Sequence, residues 1–486
     1  MITIPYRWKA LITVAVGTLM ATMDASITNI AFPVFTRVFR TDLTTVIWIT
    51  LAYILFSTST MLILGKLSDV VGRKRIYVTG MLLFTMGLTA CSVADGIGEM
   101  ILYRCLQGLG GAMSIACGTA IVTEAFPVRD TGKALGLLGI SVSLGFIIGP
   151  VLGGFLLHWL DWRSIFYVRA PIAFLSLLLA LFLLKRDEVR TGPVSLDLAG
   201  ALTSACGIFC LVLGISRAKE LGILSPLVWG WLIGGLLLIL AFTLVERRAK
   251  DPVMELSLFG NRTFRNATVA LFLTFISAPP FILIMPFYLM QGIGLDPSEA
   301  GVLLAVNAMA TIVCGPVSGI LSDRYGAARF AAAGAAAVTA SFLFMLGFDL
   351  QTGNGIIVPV MILMGVGIGM FQAPNNSLIM GSVPRSRLGT ASALIATLRQ
   401  VGLSLGMAMA GALYSYRVMI HENDLGRQGL ASSEAARAAI PAAFHDTLAL
   451  SILLGLLVIL FSLLRGNGSS GTDPALGRSK GMRKEG

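Results

Sequence analysis

Charge is what this chain has least of. Asp, Glu, Lys and Arg make up 13% of its 486 residues, against about 25% in soluble domains. A chain so poor in charge, and 56% hydrophobic, cannot clothe a water-facing surface and belongs in a bilayer. Histidine is nearly absent: the three present form no ligand-like cluster, and no nucleophile–base arrangement marks an enzyme. The six cysteines (91, 105, 117, 206, 210 and 314) show no metal-like spacing and fall within apolar runs. They read as small packing residues rather than disulfide or metal ligands. No Walker-type phosphate loop is present, so no ATP and no other cofactor is expected. The period-two alternation of an outer-membrane barrel is also missing.

What is present is apolar helix. A bilayer crossing needs about 20 apolar residues, and the sequence divides into fourteen such spans, the first near 8–33 and the last near 443–465. The opening run is too long for a signal peptide and reads as the first span. The net charge is +11, yet Lys and Arg concentrate in segments on the N-terminal side of the membrane. That bias predicts cytoplasmic termini. It also makes Arg73-Lys74-Arg75, Lys185-Arg186 and Arg247-Arg248 topology signals beside lipid headgroups rather than a nucleic-acid surface.

The predicted organisation is all-α: a six-helix bundle over 1–190, an inserted two-span hairpin and linker over 191–260, a second six-helix bundle over 261–465, and a disordered cytoplasmic tail over 466–486. The polar segment 416–441 is expected outside the membrane, with a short capped helix at 432–439.

A glycine-bounded basic turn stands out at Gly65-Lys66-Leu67-Ser68-Asp69-Val70-Val71-Gly72-Arg73-Lys74-Arg75. Gly, Leu, Ser, Asp, Gly and Arg recur in the same frame at Gly319-Ile320-Leu321-Ser322-Asp323-Arg324-Tyr325-Gly326-Ala327-Ala328-Arg329. A duplicated turn in a hydrophobic chain points to two homologous bundles and hence to a transporter. Asp69 can accept hydrogen bonds at a neighbouring helix N-terminus, and Arg73 and Arg75 can pair with acids on adjoining helices. Such contacts suit a gate. The second copy lacks two of the basic residues, so the halves are not expected to gate equally.

Asp24 is the one carboxylate deep within a span. Such a charge costs about 2.5–3.5 kcal/mol at the bilayer centre, so it must face a cavity or a partner. Two roles fit it: binding a proton or substrate, or static pairing with a buried Arg. Arg104 is its natural counter-ion, the alternative for Arg104 being to snorkel outward. In the fifth span Gly145, Gly149 and Gly153 form a flat stripe for close helix contact, with Gly154 beside them, and Pro150 removes a backbone bond. Tyr53, Phe281, Tyr288, Asn307, Phe371, Gln372, Asn375 and Asn376 are candidate contacts for an amphipathic ligand.

Together these residues resemble the major facilitator superfamily, and within it the fourteen-span drug:proton antiporters. The resemblance rests on the loop signature at Gly65–Arg75, the first-span signature Met23-Asp24-Ala25-Ser26-Ile27-Thr28-Asn29-Ile30-Ala31-Phe32-Pro33, the fourth-span motif at Arg104, Gln107, Gly108 and Gly110, and the antiporter motif at Gly145, Gly149, Pro150, Gly153 and Gly154. It implies two six-helix bundles with an inserted span pair. It also implies proton coupling by Asp24 and Arg104, gating by Gly65, Asp69, Gly72, Arg73, Arg75 and Asp323, and a monomer exchanging amphipathic substrates for protons across the cell membrane. One departure matters: Arg169 stands where the family usually has Asn. A carrier of an endogenous lipid or anionic metabolite is the alternative that Arg169 motivates.

Overall fold

A computed structural model describes residues 5–127, 130–185, 198–222, 224–248, 256–384 and 387–464. The expected boundary at 190–193 and the tail 466–486 lie outside the described residues. The described residues form helices joined by short turns, with no strand among them. Its first part comprises α1 (Tyr6–Ile30), α2 (Phe32–Val38), α3 (Leu43–Val71), α4 (Arg73–Ser92), α5 (Ile97–Ala125), α6 (Thr131–Trp159), α7 (Ser164–Tyr167) and α8 (Ala170–Leu183). Two helices follow, α9 (Leu198–Leu221) and α10 (Pro226–Arg248). The last part holds α11 (Arg262–Ser277), α12 (Pro279–Phe287), α13 (Pro297–Tyr325), α14 (Ala327–Met345), α15 (Asn354–Gly381), α16 (Leu388–Arg427) and α17 (Ser432–Leu463).

Twelve helical segments among the described residues are long and apolar enough to cross a membrane, and the protein is a multi-pass membrane protein. The two expected spans outside that set are helical: α4 carries a basic start, and α9 holds the shorter apolar stretch Leu202–Ala218. The 20-residue α4 opens on Arg73-Lys74-Arg75, and the 24-residue α9 closes on Arg217, Lys219 and Glu220.

Proline and capping residues set several boundaries. Pro33, at the start of α2, breaks the predicted first span, so α1 ends at Ile30. Pro279 and Pro280 lack the N–H that would continue α11, and α12 begins there. Asp42 caps α3 by accepting from the Thr45 N–H at 3.2 Å, and Asn261 caps α11 through Thr263 and Phe264. The expected short helix at 432–439 is instead the first part of the 32-residue α17, whose N-cap is Ala431 with no side-chain cap. Its alanines continue the helical face without a break, so the separate element does not form.

Helices before residue 186 pack mainly on one another, as do those after 256. The side carrying the duplicated turn is here the turn face, and its opposite the far face. The two groups meet at the far face. Gly154 of α6 abuts the Pro297 carbonyl, and Gly301 of α13 abuts that of Pro150. Thr44 of α3 donates to Ser415 of α16 at 3.1 Å, and Gln291 donates to the Pro33 carbonyl at 3.3 Å. Between the groups, α9 packs against both α3 and α16 and lays Ile208, Val212 and Ile215 against the main core.

Candidate functional site

The two copies of the turn share one backbone. Gly72 has φ 111° and ψ 132°, and Gly326 has φ 98° and ψ 120°, a region that side-chain-bearing residues rarely adopt. In each, the glycine N–H bonds the serine carbonyl four residues back (3.0 Å to Ser68, 2.9 Å to Ser322). In each, that serine hydroxyl bonds the preceding glycine carbonyl (2.6 Å to Gly65, 2.8 Å to Gly319). The flanking side chains differ. Arg73 reaches Glu124 of α5 at 2.9 Å. Lys74 donates to the Leu181 and Leu184 carbonyls at 2.8 and 2.6 Å, a cation at the C-terminus of α8. Arg75 is exposed. In the second copy Ala327 and Ala328 replace two cations, and Tyr325 stacks on Phe330 at 6.4 Å. The side chains of Asp69 and Asp323 lie outside the described residues.

Deep in the N-terminal group, Asp24, Arg104 and Arg169 have no solvent exposure at all. Arg104 Nη1 lies 2.6 Å from Asp24 Oδ2, and Arg169 Nη1 lies 2.6 Å from Oδ1. Gln107 Nε2 adds a bond to Oδ1 at 3.0 Å. Arg104 is held further by the Ile49 carbonyl at 2.9 Å and the Gln107 amide oxygen at 2.7 Å, while Tyr53 lies under its guanidinium at 4.8 Å. Thr28 bonds the Asp24 carbonyl at 2.8 Å, securing the next turn of α1.

The local sequence explains the convergence. Pro171 near the start of α8 leaves a break after α7, and Arg169 sits in that break as the N-cap. Its Nε returns to the Ile165 carbonyl, which turns the guanidinium inward. Gly108 and Gly111 let α5 approach Tyr53: an added Cβ would lie 2.5 Å from the Tyr53 carbonyl oxygen and 2.7 Å from its hydroxyl. One carboxylate thus bridges two guanidiniums, and Arg169 Nη2 has no partner. Three charges removed from water are tolerable only with this density of bonds.

The glycine stripe of α6 packs on the helix that carries Asp24. Gly145 lies against Thr22 and Met23, Gly149 against Ser26, and Gly153 against Ile27 and Ile30. Ser26 donates to the Gly145 carbonyl at 3.0 Å. The same helix, through Pro150 and Gly154, forms the far-face contact with α13. α6 thus touches both the helix that carries Asp24 and the junction of the two helix groups.

The expected ligand contacts do not gather in one place. Tyr288 is fully buried between Phe348 and Phe444, both at 5.6 Å, and donates to the Asp349 carbonyl at 2.7 Å. Phe281 and Phe371 are core residues, and Asn375 is buried against the Ala267 carbonyl at 3.2 Å. In this structure these four are packed among their neighbours, since aromatic bulk and a bonded amide fill helix interfaces as well as they fill pockets. Tyr53 is taken up by Arg104. Asn307 bonds the Met361 carbonyl at 3.4 Å, whereas Gln372 and Asn376 stay partly exposed. Arg169, expected to receive an anion, is committed to Asp24. Sequence reasoning missed Lys74 at the α8 terminus. It also missed Asp446 of α17, which receives Arg417 Nε at 2.5 Å and His421 Nε2 at 2.7 Å from α16; the Arg417/His421 spacing along one helix face was the available signal.

A helical membrane protein with a buried ion set tied to the junction of two helix groups is built to transport, not to catalyse. The chain belongs to the Major Facilitator Superfamily, whose model matches residues 14–407, and it is a secondary transporter. It is 32% identical over 409 residues to the riboflavin transporter RibZ of Clostridioides difficile (strain 630), covering 84% of this chain and 88% of that protein. It is 30% identical over 411 residues to a tetracenomycin C resistance and export protein of Streptomyces glaucescens, covering 85% and 76%. Among solved structures, it superposes on an inward-facing, unoccupied bacterial homologue of the human lysosomal transporter Spinster with a TM-score of 0.70. That likeness, at 16% identity over 95% of this chain and 98% of the other, concerns the fold.

Proposed function

We propose that this protein is a monomeric, proton-driven exporter of amphipathic small molecules, drugs and biocides among them, that works by alternating access. The drug-resistance relatives support the substrate class. In this reading α4 and α9 also cross the membrane, giving fourteen spans. Two six-helix bundles over 1–190 and 261–465 flank the inserted pair, and the basic turn at Arg73–Arg75 supports cytoplasmic termini. The far-face closure is then external, and this conformation faces the cytoplasm.

The observation that carries the reading is the Asp24 site. A proton on Oδ1 displaces Arg169 Nη1 or Gln107 Nε2 and leaves two buried guanidiniums facing each other without a counter-charge. Relief requires α1 and α8 to separate, and the Gly145–Gly149–Gly153 stripe lets α1 slide on α6. Because Pro150 and Gly154 of α6 touch α13, that movement loosens the far-face junction. Asp69, Arg73, Arg75 and Asp323 latch the turn face in the opposite state, with Gly65 and Gly72 shaping the hinge. One charge crossing 100 mV supplies about 2.3 kcal/mol, which sustains a gradient of about fortyfold.

Purified protein in liposomes with an imposed pH gradient provides the test, with ethidium as the amphipathic probe. Wild-type protein should drive ethidium uphill until an ionophore collapses the gradient, and Asp24→Asn should carry it only downhill. Gradient-driven accumulation by Asp24→Asn at the wild-type level would rule out the coupling role.

A further inference from the structure

In the C-terminal helix group one half-buried cation, Arg399, has no anion beside it among the described residues. Arg399 lies on α16 with its guanidinium carbon 5.1 Å from the centre of the Phe275 ring on α11, and its Nε is buried without a hydrogen-bond partner. Among the described residues no carboxylate pairs with it. The sequence explains why: α11, α12, α14 and α15 contain no Asp or Glu, and α16 has none before Glu422. Farther along the chain, Asp446 is taken by Arg417 and His421. Across the molecule, Asp24 is taken by Arg104 and Arg169. A guanidinium kept within a span without a counter-charge is costly and is a functional position by default.

We propose that Arg399 is an anion subsite that receives the carboxylate of an aromatic or aliphatic amphiphile, with Phe275 holding the guanidinium from behind. The proposal rests on the transporter reading above and names the chemistry of one substrate group. The walls favour an organic anion over an inorganic one: Leu271 and Phe275 belong to an apolar cluster against which Leu398 and Leu403 pack. Depth disfavours a lipid headgroup, since Arg399 is eleven residues into α16, about 16 Å at 1.5 Å per residue. The fork of the guanidinium suits a carboxylate.

The full-length protein in zwitterionic lipid nanodiscs is titrated with 2-naphthoate and with its neutral counterpart 2-naphthamide, empty nanodiscs correcting for partition. No pH gradient is present, so failure here is separate from failure of proton coupling. Wild-type protein should bind naphthoate about tenfold more tightly than naphthamide, and Arg399→Gln should erase that preference while leaving naphthamide affinity in place. Arg399→Lys should keep part of it. In the unmutated protein, naphthoate but not naphthamide should shield Arg399 from phenylglyoxal, read by mass spectrometry. Equal affinity for the two probes, a preference that survives Arg399→Gln, or protection by chloride in place of naphthoate would each overturn the proposal.

Discussion

Arg169 Nη1 sits 2.6 Å from Asp24 Oδ1 although the two residues are 145 positions apart, so the carboxylate bridges two guanidiniums rather than one. The charges therefore do not sum to zero, and the members of the set are unequal. Removing Asp24 strands two buried cations. Removing Arg169 leaves a neutral Asp24–Arg104 pair.

Thermal unfolding of the detergent-solubilised protein should reveal that asymmetry. Asp24→Asn should cost about 3–5 kcal/mol, the range for breaking a buried pair from one side. Arg169→Gln should cost distinctly less. If the two variants unfold at the same temperature, the unequal roles assigned here are wrong.

The far-face junction makes a second expectation. An added side chain at Gly154 runs into the Pro297 backbone, whereas at Gly136, on the same helix, nothing lies within 4 Å. Gly154→Val should lengthen the distance between spin labels at positions 161 and 296, and Gly136→Val should leave it unchanged. An unaltered distance in Gly154→Val would mean that the contact does not hold this face shut.

At the duplicated turn, Gly72→Ala and Gly326→Ala force a side chain into a positive-φ conformation and should each cost about 1–3 kcal/mol. Gly65→Ala meets only the Ala116 methyl at 3.9 Å and should be nearly neutral. Melting temperatures distinguish the cases, and a neutral Gly72→Ala would show that the turn can relax.

Asp349, outside the membrane in the turn between α14 and α15, is held below the usual carboxylate range by the Gln351 N–H at 2.8 Å and the Thr352 hydroxyl at 2.9 Å. Its depressed folded value means that the turn gains order above the ordinary carboxylate range and loses it as pH falls through the folded value. The protection factor of the Gln351 amide, its intrinsic exchange rate at each pH divided by the observed rate, should fall on acidification in wild-type protein. In Asp349→Asn that pH response should vanish; a persistent response would assign it to another group.

The helical class, the membrane setting and the repeated turn were legible in the sequence because each depends on neighbours in the chain. Apolar runs identify helices that need lipid. Glycines with Ser-Asp between them predict the same turn twice, and Gly72 and Gly326 adopt it bond for bond. Asp24 was marked by its isolation among apolar residues. The short helix at 432–439 was misjudged because polarity suggested a loop where alanine carried α17 onward.

Which cation meets which anion was not legible, since pairing depends on helix rotation and on breaks such as the one before Pro171. That break turned Arg169 toward Asp24; Pro171 marks the break along the chain but not the helix that Arg169 meets. The same holds for Tyr288 and Asn375, whose side chains suit a pocket or a core equally and were assigned to the core by their neighbours in space. Composition and local pattern determined that this chain makes helices and where it needs lipid. Only the packed arrangement decided which buried charge is balanced and that Arg399 is not, because electrostatic neutrality is settled between helices distant in sequence.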